Sequence, residues 1–171
     1  NRNKLLWRDP TVDGLKTGHT DEAGFCLAAS AVRDGTRFVA VVMGTRSDEA
    51  RARETQKLLA YGFRYFETHK LYSAEEELKT QAVWLGKQPQ VKLGLSDDLY
   101  LTLPRGAKGE LEIDMLTDEF IEAPIEQGQV IGTLTVRMDG EVQAERALIA
   151  LNDVEDGGFF GRLWGKIKLF F

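Results

Sequence analysis

At 171 residues, with 43% apolar and 29% charged side chains, the chain has the composition of a globular protein with material for one domain or two small ones. A formal net charge of −5 argues against nucleic acid as a partner, which would call for a basic stripe. One cysteine and two histidines rule out an internal disulfide and argue against a metal centre, so no metal or cofactor is expected.

No apolar run reaches the roughly 18 residues that span a bilayer, and no signal peptide is recognisable. The opening Asn1-Arg2-Asn3-Lys4 lacks an initiator methionine, which is expected of a mature product or a piece of something longer. Residues 1–11 read as a loop with an apolar patch (Leu5, Leu6, Trp7) and a turn at Asp9-Pro10. An extended run follows, Val12-Asp13-Gly14-Leu15-Lys16-Thr17-Gly18-His19-Thr20. Alternation on a strand sends Leu15 and Thr17 to one face and Lys16 and Gly18 to the other. A lysine among small residues suits the edge of a substrate groove. The ammonium brings positive charge, Thr17 a hydroxyl, and Gly18 room for a ligand backbone.

Phe25 to Val32 is small and apolar, Asp34-Gly35 is a hairpin signal, and Arg37 to Met43 is rich in β-branched residues. A buried antiparallel hairpin is predicted, with the Lys-Thr-Gly strand beside it and Cys26 as a small, buried, inert thiol. Ser47-Asp48-Glu49 then opens a helix that should run to about Phe66. Ser47 caps it, and the two acids oppose the positive end of its dipole. Arg46, Arg51 and Arg53 lie where basic residues oppose that dipole. Arg51 therefore reads either as a functional group or as part of a solvated face with Glu49 and Glu54 as partners.

Beyond Thr68, short strands alternate with turns up to Val154, among them Val83–Leu85, Val91–Leu93, Leu99–Leu103, Leu111–Leu116, Val130–Met138 and Ala147–Leu151. Asp139-Gly140 is a strong hairpin signal, and the spacing predicts a small β-sandwich. No cluster of acids, bases or nucleophiles stands out there, so it reads as a spacer or interaction module. In the last segment Phe159, Phe160, Leu163, Trp164, Ile167, Phe170 and Phe171 share an arc of about 140° on a helix, flanked by Arg162, Lys166 and Lys168. That pattern suits a helix lying in a membrane interface over anionic headgroups.

Taken together, these stretches resemble the D-alanyl-D-alanine carboxypeptidases, the low-molecular-mass penicillin-binding proteins of bacterial cell-wall metabolism. Asn1-Arg2-Asn3 with Leu5-Leu6-Trp7 is similar to the lead-in to the family's third active-site motif, and Val12 to Thr20 to that motif with its flanks. Val41-Val42-Met43-Gly44 with Arg46 and Arg51 is similar to the next strand and helix start. Leu99-Tyr100-Leu101-Thr102-Leu103-Pro104-Arg105-Gly106 resembles a signature of the all-β domain, and Phe159-Phe160-Gly161 opens what resembles the membrane anchor.

The resemblance implies an α+β chain in three parts. Residues 1–66 would be the C-terminal part of a β-lactamase/transpeptidase-like domain, 67–156 a small all-β sandwich, and 157–171 the amphipathic anchor. It implies a periplasmic serine hydrolase, peripherally attached to the inner membrane, that removes the terminal D-alanine of peptidoglycan pentapeptide through an acyl-enzyme and is inhibited by β-lactams. Lys16, Thr17 and Gly18 would hold the substrate's carboxylate end with Arg51 and Arg2, and the backbone N–H of His19 would serve the oxyanion. The family's Ser-x-x-Lys and Ser-x-Asn motifs do not occur: Ser30, Ser47, Ser73 and Ser96 are followed three residues on by Arg33, Ala50, Glu76 and Leu99. The segment alone is therefore expected to be inactive. Two other readings remain: a class A β-lactamase-like hydrolase, and a non-catalytic, membrane-tethered spacer module.

Overall fold

A computed structural model describes residues 1–158, so the amphipathic segment with Phe159, Phe160, Leu163, Trp164, Ile167, Phe170 and Phe171 lies outside the described residues. The class is α+β, as the sequence predicts. The chain divides into two compact units, one of residues 1–68 and 102–106, the other of 69–101 and 107 onward. Among the described residues no helix is long and apolar enough to cross a membrane.

In the first unit a helical turn, α1 (Leu5–Arg8), precedes β1 (Val12–Thr20), β2 (Gly24–Arg33), β3 (Thr36–Thr45) and the helix α2 (Asp48–Tyr65). The strands form an antiparallel sheet in the order β1-β2-β3, with Lys16 opposite Ala28 and Gly18 opposite Cys26. The Asp34-Gly35 turn holds both residues at positive φ, as a tight hairpin requires. Ser47 caps α2 by accepting from the Ala50 backbone N–H at 3.1 Å. Ala52, Leu59 and Phe63 recur at helical spacing on one face of α2 and pack with Leu27, Ala29, Ala31 and Ala40 of the sheet and Leu5 of α1. A fully buried leucine such as Leu5 or Leu27 contributes about 1.5–3 kcal/mol in this setting.

Three local expectations change here. The lead-in is not all loop, because the Asn3 side chain accepts from the Leu5 N–H at 3.0 Å and starts a helical turn that buries Leu5. The hairpin is not buried throughout: β3 buries one face only, with Val39, Val41 and Met43 alternating onto its exposed face. Cys26 is half-buried rather than buried, with its thiol donating to the Ala23 carbonyl at 3.4 Å.

Among the described residues the named elements of the second unit are strands and one 3-10 turn at Ala107–Glu110. Its main sheet contains β5 (Lys79–Trp84), β6 (Gln90–Gly94), β8 (Leu111–Thr117), β9 (Ile121–Glu122), β10 (Val130–Met138) and β11 (Glu141–Ala150), in the order β8-β10-β11-β6-β5-β9. The β10–β11 hairpin turns at Asp139-Gly140, both at positive φ, as the sequence predicts. Two clusters fill the interior. Val91, Leu93, Ile125 and Val154 anchor one, and Leu95, Leu99, Leu134, Val136 and Leu148 the other. β4 (Phe66–Tyr72) and β7 (Leu99–Pro104) form a separate two-stranded ladder, and the chain passes between the units within these strands. β4 starts where the sequence predicts the last helical residue, since Phe66 is already extended at φ −128°, ψ 154°.

Candidate functional site

An open groove of about 1020 Å³ runs along β1 in the first unit. Lys16, Thr17, Gly18 and His19 form one wall, and Arg2, Lys4 and Trp7 come from the lead-in. Asp48 and Arg51 enter from the first turn of α2. The six residues expected in sequence to hold the substrate or the oxyanion, Arg2, Lys16, Thr17, Gly18, His19 and Arg51, line one groove. Among the described residues β1 is an edge of its sheet, so its outer side offers peptide groups to a strand-like ligand.

Each side chain is placed by local structure. Lys16 is exposed, and its ammonium donates to the Thr17 carbonyl at 2.9 Å. Gly18 faces Cys26, whose Cβ would lie 3.9 Å from a Cβ added at Gly18; the glycine thus keeps this stretch of groove low without being sterically forced. The exposed His19 ring lies tilted at 42° against Phe25, with centroids 4.0 Å apart. The lead-in is pinned to β1 by two amides: Asn1 Nδ2 donates to the Leu15 carbonyl and Asn3 Nδ2 to the Gly14 carbonyl, each at 2.9 Å. Asn3 is wholly buried, so its bonds are made away from competing water.

Arg51 departs most from a solvated helix face. It is 6% exposed, and its Nη1 donates to the carbonyls of Gly18 at 3.2 Å and Cys26 at 3.4 Å. Its Nη2 donates to Asp48, and its guanidinium carbon lies 5.6 Å from the centre of the Phe25 ring. Its acidic partner is Asp48 rather than Glu49, whereas Arg53 does sit on a solvated face beside Glu54. The acids at the start of α2 are shared with the lead-in. Lys4 Nζ lies 2.7 Å from both Asp48 and Glu49, and Arg8 pairs with Glu49 at 2.9 Å. Hydrogen bonds from Arg8 and then Lys4 hold the Glu49 carboxyl down to about 2. A hydrogen bond from Lys4, with the nearby Arg51 charge, lowers that of Asp48, and the same bonds raise the Lys4 ammonium.

Sequence reading did not single out Lys4, Trp7, Phe25 or Asp48 as groove residues. The i,i+3 spacing of Asp48 and Arg51 was the legible signal for one of them. Lys4 and Trp7 needed the helical turn of α1 to bring them to the groove.

The comparisons match this order of parts. Residues 1–47 match the family model described as D-alanyl-D-alanine carboxypeptidase, and residues 66–156 match penicillin-binding protein 5, C-terminal domain. The chain belongs to the penicillin-binding protein 5 family of D-alanyl-D-alanine carboxypeptidases. D-alanyl-D-alanine carboxypeptidase DacA of Escherichia coli (strain K12) is 41% identical over 173 residues, covering 100% of this chain and 43% of that protein. DacF of Bacillus subtilis (strain 168) is 35% identical, covering 98% and 45%. The crystal structure of penicillin binding protein 5 from Haemophilus influenzae superposes with a TM-score of 0.83 at 41% identity, over 91% of this chain and 46% of that one. The chain thus spans less than half the length of these relatives.

Proposed function

We propose that residues 1–66 form one wall of the active-site groove of a serine-type D-Ala-D-Ala carboxypeptidase, which removes the terminal D-alanine of peptidoglycan pentapeptide through an acyl-enzyme. In this reading 67–156 is the family's C-terminal domain and 157–171 a membrane anchor. The observation that carries it is the convergence of Lys16, Thr17, Gly18, His19, Arg2 and Arg51 on one groove along an edge strand.

A terminal carboxylate needs a cation and directional donors. Lys16 and Arg51 supply the positive charge, Thr17 a hydroxyl, and Arg2 a further cation at the rim. The edge of β1 takes the peptide as an added strand, which aligns its scissile carbonyl along the groove. The His19 backbone N–H serves as one donor to the oxyanion of the tetrahedral intermediate. Its imidazole, tilted against Phe25, has no general-base role in this reading. The nucleophilic serine and its lysine lie outside these 171 residues, because no serine here has lysine three positions on. β-Lactams, which present a carboxylate beside a strained amide, are inhibitors of the same groove.

The test uses labelled penicillin and intact-mass spectrometry. The full-length protein should form a one-to-one adduct and release D-alanine from a peptide ending in D-Ala-D-Ala, and the 171-residue chain should form none. An adduct on the 171-residue chain would contradict the division of labour. The protein acts at the periplasmic face of the inner membrane, held by the segment that starts at Phe159. Deleting residues 159–171 should release it from anionic vesicles in co-sedimentation, and continued binding would refute the anchor.

A further inference from the structure

Arg51 is held by more than its own helix. Three of the five N–H donors of its guanidinium are engaged, by the Gly18 carbonyl, the Cys26 carbonyl and the Asp48 carboxylate. The two carbonyls fix Nη1 and Asp48 fixes Nη2, so the plane of the group is set, and Nε–H and one Nη2–H are left over. Asp48 is itself restrained, because its second oxygen lies 2.7 Å from Lys4 Nζ. Lys4 is restrained in turn by Glu49, and Glu49 by Arg8. The result is a chain of alternating charges, Arg8–Glu49–Lys4–Asp48–Arg51, that starts on α1, crosses the first turn of α2 and ends in the groove.

We propose that Asp48 is a positioning residue for the substrate's carboxylate, acting through Arg51, and that Lys4 keeps Asp48 in register. The proposal rests on the reading of Arg51 as a carboxylate contact. Two features favour it over simple compensation of the helix dipole by Asp48. The Asp48 carboxylate faces a 6%-exposed guanidinium in the groove as well as the helix end. Each acid of the chain also sits between two cations, so Asp48 does not neutralise Arg51 alone and the groove keeps its positive end. A guanidinium fixed in this way spends less rotamer freedom when a carboxylate docks on its free donors.

The test is steady-state release of D-alanine by the full-length protein from a peptide ending in D-Ala-D-Ala. Asp48→Asn should raise KM about tenfold, the scale of one charge-assisted hydrogen bond, with kcat within about twofold. Asp48→Glu should recover much of the loss. Lys4→Met, which leaves α2 and its dipole untouched, should raise KM in the same direction by a smaller factor. An unchanged or lower KM in Asp48→Asn would overturn the proposal, and so would a loss confined to kcat or to thermal stability. The Arg51 Nε–H resonance of the same protein gives a readout independent of turnover. It should be restricted in the native chain and mobile in Asp48→Asn, and equal mobility in both would also overturn it. A native protein that releases no D-alanine would instead remove the carboxypeptidase reading and leave the resonance test standing.

Discussion

Arg51, in the first turn of α2, donates to the backbone carbonyl of Gly18 on β1 at 3.2 Å. This bond joins the helix to the Lys-Thr-Gly strand beside the proposed carboxylate site. Arg51→Ala should lower kcat/KM for D-alanine release about tenfold or more, the loss of a charged hydrogen bond. The cores around Leu27 and Leu59 do not depend on the guanidinium, so the circular dichroism spectrum should be retained. Unchanged kcat/KM would return Arg51 to a purely structural part.

The lead-in depends on Asn3, whose amide donates to the Gly14 carbonyl while its oxygen accepts from the Leu5 N–H. Asn3→Ala leaves both buried backbone groups without these partners. It should cost about 1–3 kcal/mol in chemical denaturation monitored on the first unit. A loss within error would mean that water replaces both bonds.

Acid should loosen the same lead-in. The Glu49 carboxyl is held at about 2, below its ordinary 4.5, first by the Arg8 hydrogen bond and then by that of Lys4. A carboxyl depressed in the folded state contributes stability that is present above 4.5 and is lost as pH falls through about 2. The carboxyl-carbon resonance of Glu49 should therefore titrate near 2 in the native chain and move back toward 4.5 in Arg8→Ala. A native midpoint at 4.5 would contradict the ion pairs.

The sequence was most informative where a local rule and the tertiary fold agree. Asp34-Gly35 and Asp139-Gly140 form the turns their chemistry dictates, and Ser47 caps α2 as its spacing predicts. The strand Val130–Met138 has the bounds that its alternation suggests. Legibility fell where long-range contacts decide. α1 exists because Asn3 reaches both Leu5 and Gly14, which composition does not reveal. β4 takes over at Phe66 although the aromatic run Tyr61 to Phe66 continues the helical pattern. Arg51 is buried where two carbonyls from different strands accept its protons, and it pairs with Asp48 instead of Glu49 because i,i+3 side chains share a helix face and i,i+2 side chains do not. The Lys-Thr-Gly wall was legible from its flanks; the ionic chain behind it was not.

The central claim is that Lys16 belongs to the machinery of acyl transfer on a D-Ala-D-Ala terminus. The most direct measurement is kcat/KM for D-alanine release by the full-length protein with and without Lys16→Ala. Removing a preorganised cation from the groove should lower it about a hundredfold or more, with the fold intact because the Lys16 side chain is exposed. Near-normal turnover in Lys16→Ala would contradict the account.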